Sequence, residues 1–186
     1  IYNAMSGNPL LSIVCLLVSG LCDMFDGRIA RSKKNRTKNE KDYGIQLDSL
    51  CDIVCFGVLP LAIGYAIGLN KVIYIPVFVI YLLGALIRLA YFNMLENVRQ
   101  LSIIPTEKSF IGLPVTSSAL IFPFIYIFKK MSGTYFPIIY LITMFVVGIL
   151  FVTKIKIKKP SLKFMIVMLF MGIIELLVIL ISLGII

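Results

Sequence analysis

Histidine and tryptophan are absent from this chain of 186 residues, and nine acidic residues stand against eighteen basic ones. Without histidine, zinc loses its commonest nitrogen ligand. The strict polar/apolar alternation of an outer-membrane barrel strand is missing. So are internal repeats, low-complexity linkers and a cleavable signal pattern. What remains is 60% hydrophobic with a mean hydropathy of +1.01, well above a soluble domain. The four cysteines, Cys15, Cys22, Cys51 and Cys55, all fall within apolar stretches. They read as small buried hydrophobes rather than disulfide partners.

The apolar residues come in six blocks, roughly 9–31, 44–68, 72–94, 110–130, 134–153 and 162–185. Each is long enough to cross about 30 Å of hydrocarbon at about 1.5 Å per helical residue. The expected fold is an all-α polytopic membrane bundle forming one transmembrane domain over 1–186. Short connections make neighbouring helices antiparallel. Lysine and arginine then set the orientation: residues 28–43 carry seven, 96–109 carry two and 154–163 carry five. Those fourteen lie on one side, against Lys71, Lys129 and Lys130 on the other, which puts the basic loops in the cytoplasm. The same topology explains the net charge of +9 without nucleic acid. It also leaves Ile1 outside, so one additional helix is expected before Ile1.

Charge inside the apolar blocks is the informative exception. The first block ends in "CDMFDGRIAR" with Asp23 and Asp26, and the second opens "GIQLDSLCD" with Asp48 and Asp52. Spacings of three and four put each pair on one helix face. Counted from Arg31 and Gly44, all four lie roughly 6 to 12 Å inside the helix ends. Two antiparallel helices therefore bring four carboxylates to one level. Each intramembrane carboxylate costs roughly 2.5 to 3.5 kcal/mol at a helix centre, and four cost on the order of 10 kcal/mol. Four like charges at one site cannot all stay ionised without a cation. An all-oxygen ligand set favours a hard divalent ion, Mg²⁺ or Mn²⁺, with Ca²⁺ as a further candidate. Gly27, Ala30 and Gly44 remove bulk beside the carboxylates, and Arg31 at the rim suits a phosphate.

Together these residues read D-x2-D-G-x2-A-R-x12-G-x3-D-x3-D over 23–52, which resembles the signature of the CDP-alcohol phosphatidyltransferase family at all eight fixed positions. The twelve-residue gap "SKKNRTKNEKDY" is longer than usual. "FGVLP" (56–60), "RLAYFN" (88–93) and "FIGLP" (110–114) are similar to segments of the phosphatidylserine synthase branch. The resemblance covers about residues 9–114. It implies transfer of the phosphatidyl group of a CDP-linked lipid to an alcohol, here L-serine, with release of CMP. It implies two divalent cations on Asp23, Asp26, Asp48 and Asp52, with Asp52 also the base. Asp23, Gly27, Ala30, Arg31 and Gly44 would then line the CDP-lipid site, with Arg31 on the phosphates. A homodimer in a prokaryotic cell membrane, with its site facing the cytoplasm, belongs to the same expectation.

Arg88 is the one basic residue deep in a helix, and is a functional candidate for that reason. With Asn93, Lys108 and Ser109 it makes the candidate acceptor site; a counter-ion for the aspartates is its other reading. Glycerol phosphate, inositol phosphate or choline are alternative acceptors, though no cation cluster for a phosphorylated one is evident. From another class, a divalent-cation transporter also uses intramembrane carboxylates. Against it, the outer half of the spans has no matching polar residues. A prenyltransferase would need acidic motifs of different spacing.

Overall fold

A computed structural model describes residues 1–33, 35–101, 109–154, 156–158, 170–178 and 181. After a single helical turn at Tyr2–Met5, helix α1 (Pro9–Ser32) starts with proline in its first turn, where the missing N–H is no loss. Helix α2 (Lys38–Asp52) passes through a π-helical turn, Ile53–Val58, into α3 (Leu59–Ala66). Helix α4 (Ile75–Leu101) follows a 3-10 turn. Strand β1 (Ser109–Ile111) leads through the turn Val115–Ser117 to α5 (Ser118–Ile127), and α6 (Phe136–Val152) precedes strand β2 (Lys156–Lys158).

The protein is an integral membrane protein. Four helical stretches are long and apolar enough to span: Pro9–Gly27, Lys38–Ala66, Val72–Glu96 and Lys129–Val152. The expected count of six is met only in part. The 110–130 block is broken by Gly112, with φ of 87°, and by Pro114, so the apolar helix there is only Val115–Ile127. The 162–185 block falls mostly outside the described residues, of which 170–178 are helical. Among the described residues the fold is all-α apart from one short two-stranded ribbon. β1 and β2 pair antiparallel, Ser109 opposite Lys158 and Ile111 opposite Lys156. That ribbon ties together two of the basic loops that topology assigns to one side.

The second span also begins six residues before its expected start at 44. Thr37 caps it: its Oγ1 accepts from the Glu40 N–H at 3.2 Å, and its own N–H donates to Glu40 Oε2 at 2.8 Å. Lys33 Nζ meets Glu40 Oε1 at 2.7 Å. The long gap in the signature is thus a short turn followed by a capped helix start.

The core is aromatic. Tyr81, Phe122, Tyr140 and Phe151 are fully buried, with ring centroids 4.9 to 5.7 Å apart along the chain of contacts. α4 and α6 pack closely because Gly84 meets Gly148; a methyl on Gly84 would lie 2.5 Å from the Gly148 carbonyl oxygen. Leu86, Ile87, Ile142 and Ile149 point outward, as lipid-facing side chains do. Cys15, Cys22 and Cys51 are exposed and Cys55 half-buried, which corrects their expected burial. Their thiols occupy outward helix positions where lipid is an acceptable solvent. All four are free.

Candidate active site

The carboxylates meet where α1 ends and α2 begins its descent. One oxygen each from Asp23, Asp26 and Asp48 lies within 4.8 Å of the others. Asp23 is half-buried, and Asp26 and Asp48 are exposed at the mouth. Asp52 is half-buried and stands outside that triad, as a neighbour of Asp23. The antiparallel run of the helices explains the gradient. Going inward, α1 passes Asp26 and then Asp23, while α2 passes Asp48 and then Asp52.

This donor set fits a hard divalent cation. Six oxygens at about 2.1 Å around Mg²⁺ put neighbours about 3 Å apart and opposite ligands about 4 Å apart. A triad of oxygens within 4.8 Å of one another is close to that spacing. The donors are all oxygen, and the two exposed carboxylates leave the site open to an incoming phosphate.

Third and fourth elements complete the surroundings. Thr116 lies in the turn before α5, which packs against α1, the helix that carries Asp23. Asn93 on α4 accepts from Ser49 Oγ at 2.9 Å, which joins α4 to α2 at the residue after Asp48. Gly44 has a different neighbour from the one expected. A methyl there would lie 2.7 Å from Arg36 Nη2, so the missing side chain makes room for a guanidinium. Arg36 also donates to the Glu40 carbonyl at 3.1 Å. Thr116, Ser49 and Arg36 carry no signature in the sequence. Thr116 follows the Gly-Leu-Pro break at 112–114, the one available sign that the chain turns there.

Arg88 is buried. Its Nε donates to the Leu113 carbonyl at 3.0 Å and its Nη2 to the Gly112 carbonyl at 3.4 Å, while Nη1 has no partner among the described residues. It forms no ion pair with a described residue, so the counter-ion reading is not what this geometry shows. Gly27 lies on the last turns of α1 with partners of its own, and Ala30 and Arg31 are helical in its final turn. Ser109 opens β1. Lys108 lies outside the described residues.

A membrane bundle with an acidic cluster between two helices defines the class, and comparison narrows it. The family model for CDP-alcohol phosphatidyltransferase matches residues 1–185, and the chain belongs to that family. It is 40% identical over 119 residues to a CDP-diacylglycerol–serine O-phosphatidyltransferase of Saccharomyces cerevisiae, covering 61% of this chain and 41% of that one. A Bacillus subtilis protein of the same name is 32% identical over 155 residues, covering 82% and 76%. The archaetidylserine synthase of Methanothermobacter thermautotrophicus is 27% identical over 154 residues, covering 82% and 60%. The chain thus spans between two fifths and three quarters of the length of these relatives.

Proposed function

We propose that the protein moves the phosphatidyl group of a CDP-linked lipid to the hydroxyl of L-serine, releasing CMP. The observation that carries this reading is the convergence of Asp23, Asp26 and Asp48 from two helices, with Asp52 against Asp23, in a chain of this family. The names of the relatives supply serine as the acceptor. They include diacylglycerol and archaetidyl lipids, so the tail remains part of the test.

Asp23, Asp26, Asp48 and Asp52 would hold two divalent cations, Mg²⁺ or Mn²⁺, with Ca²⁺ the larger alternative. Bound there, such ions would neutralise the diphosphate and favour in-line displacement. The protein's own residues do the rest. Asp52, the deeper carboxylate, takes the proton as the serine oxygen bonds to phosphorus and the phosphorus–oxygen bond to CMP breaks. Asp23 spans the two halves of the site and is itself steadied by Thr116. Gly27, Ala30, Arg31 and Gly44 line the nucleotide side, with Arg31 on the phosphates. The unpartnered Nη1 of Arg88 is a donor for the serine carboxylate, and Asn93, Lys108 and Ser109 belong to the same acceptor side.

The site faces the cytoplasm, since it adjoins the seven basic residues of 28–43. The lipid tails stay in the bilayer while nucleotide and amino acid arrive from water. A homodimer completes the reading. The test is Asp52→Asn, which should abolish turnover yet leave CDP-lipid binding largely intact. Retained turnover would remove Asp52 as the base.

A further inference from the structure

Beyond Asp52 the helix is irregular. In the π-helical turn Ile53–Val58, the Leu59 N–H reaches back five residues to the Val54 carbonyl. The residue four beyond Phe56 is Pro60, which has no N–H. The Phe56 carbonyl therefore lacks its ordinary α-helical donor. The hydroxyl of Tyr81, on α4, supplies one at 2.6 Å. That hydroxyl also lies 2.9 Å from Ser118 Oγ. A phenol has a single proton and a carbonyl only accepts, so Ser118 donates to Tyr81. Both side chains are fully buried, and no water competes for these bonds.

The two ends of this link are significant. Phe56 is one helical turn past Asp52. Ser118 is two residues past Thr116, whose turn packs against the helix that carries Asp23. One phenol thus ties the backbone carbonyl of Phe56, behind Asp52, to the side chain of Ser118, behind Thr116. We propose that Tyr81 is a positioning residue for phosphatidyl transfer, holding the Asp52 side and the Asp23 side of the carboxylate cluster at their working separation. This rests on the metal-dependent reading of the cluster given above.

Tyr140 provides an internal control. It too is fully buried, and its hydroxyl donates to the Pro60 carbonyl at 3.0 Å. That bond lies a further turn from Asp52 and leads to no residue of the cluster. The experiment compares Tyr81→Phe and Tyr140→Phe in the full chain, purified in detergent. It reads Tm, the Mn²⁺ dissociation constant by electron paramagnetic resonance, and kcat and KM in CMP release. Both variants should lose Tm. Tyr81→Phe should also weaken Mn²⁺ binding and lower kcat by about 10- to 100-fold, as loss of outer-shell support does, with KM for the CDP-lipid little changed. Tyr140→Phe should keep wild-type Mn²⁺ affinity and kcat. The proposal is overturned if Tyr81→Phe keeps both, or if Tyr140→Phe loses as much. Should Tyr81→Phe not fold, Ser118→Ala cuts the same link while leaving the bond to Phe56. It should lower kcat in the same direction, and a wild-type kcat there overturns the proposal too. Absence of Mn²⁺ binding in the wild type would instead count against the metal reading itself.

Discussion

Replacing Asp26 by asparagine should have opposite effects on stability with and without metal. Asp26 shares a site with Asp23 and Asp48, their oxygens within 4.8 Å. Two unit charges at that distance repel by about 3.5 kcal/mol at an effective dielectric of about 20. Asp26 and Asp48 are exposed, so solvent and salt reduce each repulsion to roughly 1 kcal/mol or less. Removing the Asp26 charge relieves two such pairs. The metal-free protein should gain about 1 to 2 kcal/mol, or about 2 to 8 °C in Tm for a chain of this size. With Mn²⁺ at a hundredfold excess over its dissociation constant, the wild type gains about 2.7 kcal/mol. Asp26→Asn gives up most of that gain, so the order of stability inverts. Thermal unfolding followed by circular dichroism, in chelator and then in Mn²⁺, measures both limbs; the chain has no tryptophan for fluorescence. If Asp26→Asn lowers Tm equally in both conditions, Asp26 serves a structural pairing and the metal argument fails.

Arg88→Ala should raise KM for serine by about 10- to 100-fold, the value of one charge-assisted hydrogen bond, and KM for the CDP-lipid much less. Steady-state CMP release decides it, and an effect confined to the CDP-lipid would assign Arg88 to the nucleotide. Gly44→Ala should leave Tm unchanged or slightly raised. Alanine favours helix over glycine by about 1 kcal/mol, and the atom the new methyl meets is the mobile end of Arg36. The same change should raise KM for the CDP-lipid. A large loss of Tm would show that the Arg36 contact is rigid.

The meeting of Asp23, Asp26 and Asp48 was legible in the sequence. Carboxylates inside apolar helices have a steep cost, so their spacing of three and four residues stands out against the hydrophobic blocks. The four long spans were legible for the same reason, since hydrocarbon thickness imposes their length. The early start of α2 was readable in principle from the Thr37-x-x-Glu40 pattern, but was masked by the surrounding run of basic residues. Thr116, the pairing of β1 with β2 and the meeting of Arg36 with Gly44 had no local signal, because each depends on segments distant in sequence or on how a turn folds back. The 110–130 block misled for a related reason. Its hydropathy suits a span, while Gly112 and Pro114 turn the backbone to deliver Thr116 to the helix that carries Asp23. The π-helical turn was equally hidden, since Pro60 marks a helix defect without saying which tyrosine repairs it.

The central claim is that the carboxylate cluster performs phosphatidyl transfer to serine. Its most direct test is the purified protein with CDP-diacylglycerol, Mn²⁺ and a panel of alcohols, with CMP and the lipid product both identified by mass spectrometry. L-serine should give CMP and phosphatidylserine in equal amounts, with neither product in chelator and neither with Asp52→Asn. No CMP with any alcohol, alongside Mg²⁺ flux by the same protein in liposomes, would contradict it.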